Sequence, residues 1–156
     1  MIGSKSILVL DDEFDVMNII KLGLQKKGSF EVYGFTDPVL ALEHFKANVE
    51  QYSLVISDIR MPKMNGYEFI KEVKKIKPNI KVFFMTAFEI NEQEFSRVLP
   101  DMKINEFIQK PVSIESLVES VQSHISSRKS ANSTPSIREK ESRVDVIFEK
   151  IISQNT

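Results

Sequence analysis

The sequence predicts a parallel α/β sandwich: a five-stranded sheet with helices wound on both faces. Three observations carry this. Between Ser6 and Ile125, short apolar runs alternate five times with segments of helical periodicity. The runs are apolar throughout, as in strands buried on both faces, and do not alternate with polar residues. Four of them stop at a polar group (Asp11, Asp58, Thr86 or Lys110), which fits an open sheet that binds its ligand at the strands' carboxyl edge.

The first strand is Ser6 to Leu10, closed by Asp11-Asp12-Glu13. A helix follows over 13–27, with Phe14, Met17, Ile20 and Leu24 on its inward face and Gly28 as its stop. Phe30 to Phe35 reads as the second strand. Asp37-Pro38 is an N-cap with proline at the first helical position, and that helix runs to about Asn48. The third strand is Leu54-Val55-Ile56-Ser57-Asp58, and its apolar run should push Asp58 out, unburied, onto a strand-to-loop junction. Pro62 blocks an immediate helix and Asn65-Gly66 is a turn signal. Phe69, Ile70, Val73 and Ile76 define the inward face of a helix over 67–76, ended by Pro78. Its Lys71–Lys77 run reads as a solvated face. Ile80 to Met85 is the fourth strand, and a weaker helix is expected over 91–99. Asn105 to Gln109 is the fifth strand, followed by Lys110-Pro111, where a cis bond is expected. Ile114, Leu117, Val118, Val121 and Ile125 recur at helical spacing and make the fifth helix.

The chain has 156 residues and a net charge of -1, so no strong field points to nucleic acid or to membrane insertion. It has no cysteine, which excludes disulfides, thiolate metal sites and thiol catalysis and fits a reducing cytoplasm. No run approaches the ~18 apolar residues of a membrane span, and no signal-peptide pattern opens the chain. Beyond the fifth helix the composition changes. Six of the fourteen residues from Ser123 to Ser136 are serine, which is linker chemistry. Val144, Ile147, Phe148, Ile151 and Ile152 then form one apolar stripe at helical spacing. The expected organisation is a domain over 1–127, a Ser-rich linker over 128–135 and an amphipathic helical tail over 136–156.

A parallel sheet brings Asp11, Asp12, Asp58, Thr86 and Lys110 to one edge. Three crowded carboxylates repel one another and call for a cation, and an oxygen-only donor set suits Mg²⁺. A carboxylate nucleophile, a hard cation, a lysine and a hydroxyl together suit phosphoryl transfer. Taken singly, each residue has an ordinary reading as a loop, cap or turn residue. Their coincidence at strand ends is what argues for a site. His44 and His124 fall in helical patterns without metal-ligand spacing and read as surface or packing residues.

The spacing of Asp11-Asp12, Asp58, Thr86-Ala87 and Lys110-Pro111, together with Met61-Pro62 and Asn65-Gly66, resembles the receiver domain of two-component response regulators over about Ser4 to Ser127. The resemblance implies a flavodoxin-like (βα)₅ fold and a phosphorelay protein. In it Asp58 would accept phosphoryl from a sensor histidine kinase or a phosphotransfer protein. Asp11, Asp12, Asp58 and the backbone carbonyl of Arg60 would hold Mg²⁺. Thr86, Ala87 and Lys110 would bind the phosphoryl group, and Thr86 with Phe107 would form the switch that alters the face around the last strand and the helices flanking it. Arg60 and Phe88 stand where fast-dephosphorylating receivers carry acidic or amide side chains, which implies a long-lived phosphoryl group. Phe107 stands where tyrosine is frequent. No DNA-binding domain fits after Ser127, so output is expected through contact with another protein or by self-association through the receiver or the tail.

Two enzyme or cofactor classes fit less well. An aspartyl-phosphate hydrolase of the haloacid-dehalogenase type needs a second Asp two residues after the nucleophile, where this chain has Arg60. A flavin-binding protein needs a phosphate loop after the first strand, where Asp11-Asp12-Glu13 would repel phosphate. A receiver-like module working only by protein contact is the remaining alternative.

Overall fold

The structure is a computed structural model that describes residues 6–87 and 102–125. The elements in order are β1 (Ser6–Leu10), α1 (Phe14–Gly28), β2 (Glu31–Phe35), α2 (Pro38–Ala47), a 3₁₀ turn (Val49–Gln51), β3 (Tyr52–Asp58), α3 (Gly66–Ile76), β4 (Lys81–Thr86), β5 (Glu106–Gln109) and α4 (Ile114–Ile125). All strand pairs are parallel, in the order β2-β1-β3-β4-β5. This is the doubly wound sheet that the apolar runs predict, with the flavodoxin-like order that the resemblance implies. The helix expected over 91–99, Phe88, the linker and the tail lie outside the described residues.

Two apolar layers sandwich the sheet. On one face Leu8, Leu10, Val55, Val82 and Phe84 pack under α2 and α3. On the other Ile7, Val9, Leu54, Ile56, Phe83 and Met85 pack under α1 and α4. Successive strand residues thus feed opposite layers, and both layers are dry, which is why the strands read as continuous apolar runs.

Some local expectations hold and others are corrected. Phe14 is 60% exposed, whereas Met17, Ile20 and Leu24 are buried, so the inward stripe of α1 begins one turn later. Gly28 closes α1 without a positive φ. The left-handed residue is Ser29, at φ 58°. Gly28 is there for space, since a Cβ would come within 2.4 Å of the Phe30 ring. Two lysines of the 71–77 run are also tied down: Lys74 Nζ donates to Ile80 O, and Lys77 Nζ donates to Val49 O and Tyr52 O. His44 and His124 are packing residues, the first among Tyr33, Phe35 and Tyr52 and the second edge-on to Phe83.

The largest correction is at Asp58, which is 5% exposed rather than pushed into solvent. The chain beyond it folds back. Ile59 N donates to Met85 O, continuing the ladder past the strand end, and Gly66 N donates to Ile59 O at 2.8 Å. Asn65 caps α3 with a reciprocal capping box to Glu68, so the Asn65-Gly66 pair starts the helix directly. Gly66 is the tight point, because a Cβ would lie 2.2 Å from Asp58 O and 2.9 Å from Ile59 Cα.

Gly66→Ala should therefore force the β3–α3 junction apart and cost roughly 2 kcal/mol or more, on the scale of overpacking. Urea unfolding should show a lower midpoint with an unchanged slope. A variant as stable as the parent would mean that the junction yields without cost.

Candidate functional site

The carboxyl edge of the sheet collects the polar strand ends. Asp11 follows β1 and is fully buried, and its Oδ1 accepts from Glu13 N at 2.8 Å. That turn points Asp12 outward, where it is exposed. Asp58 ends β3, with Oδ1 accepting from Ile59 N at 3.0 Å. Asp11, Asp12 and Asp58 each offer an oxygen within 4.8 Å of the others.

Lys110 reaches this cluster from beyond β5. Its backbone N donates to Thr86 O at 2.8 Å, which fixes the start of the side chain. Its Nζ lies 2.7 Å from Asp11 Oδ2, 3.4 Å from Asp58 Oδ2 and 3.5 Å from Glu13 Oε1. The Lys110-Pro111 bond is cis. Thr86 is buried at the end of β4, and Ala87 follows it, exposed. Phe107 is half-buried on the layer under α3, its ring centroid 6.0 Å from that of Phe84. Arg60 is exposed and lines, with Ile59, Met61, Asn65 and Tyr67, an open cleft of about 250 Å³ beside the N-terminus of α3.

Burial sets the electrostatics. It pushes the Asp58 carboxyl up to about 6, with Asp11 adding to the rise and Lys110 opposing it. Burial likewise raises Asp11, against the pull of Lys110. Lys110 is itself penalised by burial, but the hydrogen bond and charge of Asp11, with the charge of Asp58, outweigh this and raise it.

The donor set fits a hard divalent cation. It is all oxygen, and the fully buried Asp11 Oδ2 has the Lys110 ammonium, at 2.7 Å, as its partner, so a carboxylate oxygen is held inside the pocket with lone pairs to spare. Two contributors escaped the sequence reading. Glu13 was legible as a third carboxylate but not as a Lys110 partner. Gly66 was legible as a turn residue but not as the spacer behind Asp58.

A doubly wound sheet with an acidic pocket and a lysine at its carboxyl edge defines the class of protein. The particular family follows: the chain belongs to the response regulator receiver domains, whose family model matches residues 7–122. It is 33% identical over 120 residues to the sensor kinase CckA of Brucella abortus, covering 76% of this chain and 12% of that protein. It is 30% identical over 111 residues to the alkaline phosphatase synthesis transcriptional regulatory protein PhoP of Bacillus subtilis, covering 70% of this chain and 44% of that one. The chain thus spans less than half the length of these two curated relatives. A solved receiver domain protein from Clostridium thermocellum superposes with a TM-score of 0.70 at 29% identity, covering 80% of this chain and 97% of that one. Receiver domains are signalling modules of two-component systems, not classical enzymes. They bind Mg²⁺ at an acidic pocket and interact with histidine kinases and phosphotransfer proteins. Among the described residues no helix is long and apolar enough to cross a membrane.

The raised Asp58 has a thermodynamic consequence. An acid whose folded pKa lies above its unfolded value binds protons more tightly when folded, so stability falls as pH rises from about 4 to about 6. Asp58→Asn should be more stable than the parent at pH 7.5 without metal, by about 1 kcal/mol after allowance for solvent screening. The gain should vanish below pH 4, and millimolar Mg²⁺ should raise the melting temperature of the parent more than that of the variant. A destabilised variant, or a pH-independent difference, would contradict this account of the site.

Proposed function

We propose that Asp58 is the phosphoacceptor of a two-component phosphorelay, charged by a phosphohistidine on a sensor kinase or a phosphotransfer protein. One observation carries the reading: Asp58 sits buried among carboxylates with the Lys110 ammonium 3.4 Å from its Oδ2. An Asp58 oxygen forms the new O–P bond as the P–N bond of the donor breaks, and the electron pair returns to the imidazole. At neutral pH Asp58 is mostly the carboxylate that this attack needs. Lys110 offsets charge on the equatorial phosphoryl oxygens, and Thr86 with the Ala87 backbone receives the others. Asp11, Asp12, Asp58 and the Arg60 carbonyl would hold Mg²⁺, which supplies charge neutralisation when bound.

The switch in this reading is Thr86 with Phe107. The sheet register supports it: Phe84 pairs with Phe107 and Thr86 with Gln109, so Thr86 and Phe107 are diagonal neighbours on one face. Drawing Thr86 toward a new charge of about -1.5 to -2 would change the space available to the Phe107 ring and alter the face around β5 and α4. Output then passes to a partner protein, or to a second copy through the receiver or the tail. A donor charged from ATP would place the protein in the cytoplasm. Arg60, a cation, cannot serve as a base for attacking water, and neither can Phe88, so the acyl phosphate would be long-lived.

Incubation with acetyl phosphate and Mg²⁺, followed by intact mass measurement, should show one added phosphoryl group that is lost in Asp58→Asn, in Asp12→Ala and in EDTA. Labelling that survives these changes would sink the reading. Arg60→Asn and Phe88→Glu should each speed decay of the phosphoprotein several-fold. Unchanged decay in both would show that these positions do not set its lifetime.

A further inference from the structure

Glu13 opens α1 without capping it. It is the N-cap residue of α1, with φ -90° and ψ 111°, and its carbonyl accepts Met17 N at 3.0 Å. Its side chain makes no capping hydrogen bond. N-cap positions favour Ser, Thr, Asp and Asn because a short side chain can turn back to the first-turn N–H groups. Glutamate is one methylene longer than aspartate, and here its Oε1 lies 3.5 Å from Lys110 Nζ. Lys110 is therefore held by three carboxylates, two of them buried, while the Glu13 side chain is 65% exposed.

We propose that Glu13 is a positioning residue: by holding Lys110 among three carboxylates, it raises the cost of turning that ammonium onto a phosphoryl group at Asp58. The inference rests on Asp58 being the acceptor. The added cost is that of a half-exposed ion pair.

The test titrates the full chain with beryllofluoride, an inert phosphoryl mimic, at saturating Mg²⁺, and follows backbone amide resonances. Two variants separate positioning from bulk charge. Glu13→Gln removes the charge and the ion pair. Glu13→Asp keeps the charge, but its shorter carboxylate caps α1 and leaves Lys110. Both should bind beryllofluoride about 2- to 5-fold more tightly than the parent, the scale of an exposed ion pair. The gain should shrink near 1 M salt, where the screening length falls to about 3 Å. With acetyl phosphate, both should lower the concentration giving half-maximal labelling and leave the maximal rate unchanged. Tightening in Glu13→Gln alone would assign the effect to bulk charge and overturn the proposal, as would no tightening in either variant. A parent protein that does not bind beryllofluoride would overturn the acceptor reading as well, whereas a parent that binds like both variants would overturn only the role of Glu13.

Discussion

The Lys110 ammonium between Asp11 and Asp58 is the contact on which the carboxyl edge depends. Both carboxylates are less than a tenth exposed, and neither can ionise beside the other without compensation. At an effective dielectric of about 20, two like charges about 4 Å apart cost about 4 kcal/mol, a large fraction of a small domain's stability. The compensating ammonium comes from the end of β5, across β4 from the Asp58 strand. Whatever fixes the height of β5 against β4 therefore fixes the charge balance at Asp58. The Phe84–Phe107 pairing does so at mid-strand, and Asn105 does so at the other end by exchanging two hydrogen bonds with the Val82 backbone.

Most of the sheet was legible because burial on both faces leaves a direct trace in sequence. A strand flanked by two apolar layers favours apolar side chains on both faces, so β1, β3 and β4 each carry a continuous apolar run (7–10, 54–56 and 82–85) with polar residues flanking it. The same logic placed Asp11, Asp58, Thr86 and Lys110 on one edge, since parallel strands share one carboxyl side. The inward stripes of α3 and α4 were legible from period alone, and Asp37-Pro38 was legible from cap chemistry.

What escaped depended on chain return, which no local pattern encodes. Asp58 ends an apolar run, and the run alone cannot show that the chain returns so that Gly66 N donates to Ile59 O at 2.8 Å. Phe14 fits the period of α1 but falls before the helix settles on the sheet, so it is exposed. Gly28 was legible as the stop of α1, but not that the Phe30 ring fills the space of its missing Cβ while Ser29 adopts the positive φ. The lysines of α3 looked solvated because sequence shows their charge, not the carbonyls of Ile80, Val49 and Tyr52 within their reach. In each case the deciding partner lies on another element or beyond the helix end.

The site also shows how a fold can concentrate acid without losing its stability. Four carboxylates (Asp11, Asp12, Glu13 and Asp58) face one ammonium, and they are divided by solvent exposure. Asp11 and Asp58 are buried and share Lys110 at close range. Asp12 and Glu13 project into water, where each added charge costs a fraction of what it would cost inside. The turn that makes this division is small: Asp11 Oδ1 accepts Glu13 N, so one backbone-to-side-chain hydrogen bond turns the chain outward after a single buried acid. Four carboxylates around the Lys110 ammonium leave an excess of negative charge in the pocket. It gives the pocket an anionic, all-oxygen lining of the kind that suits a divalent cation.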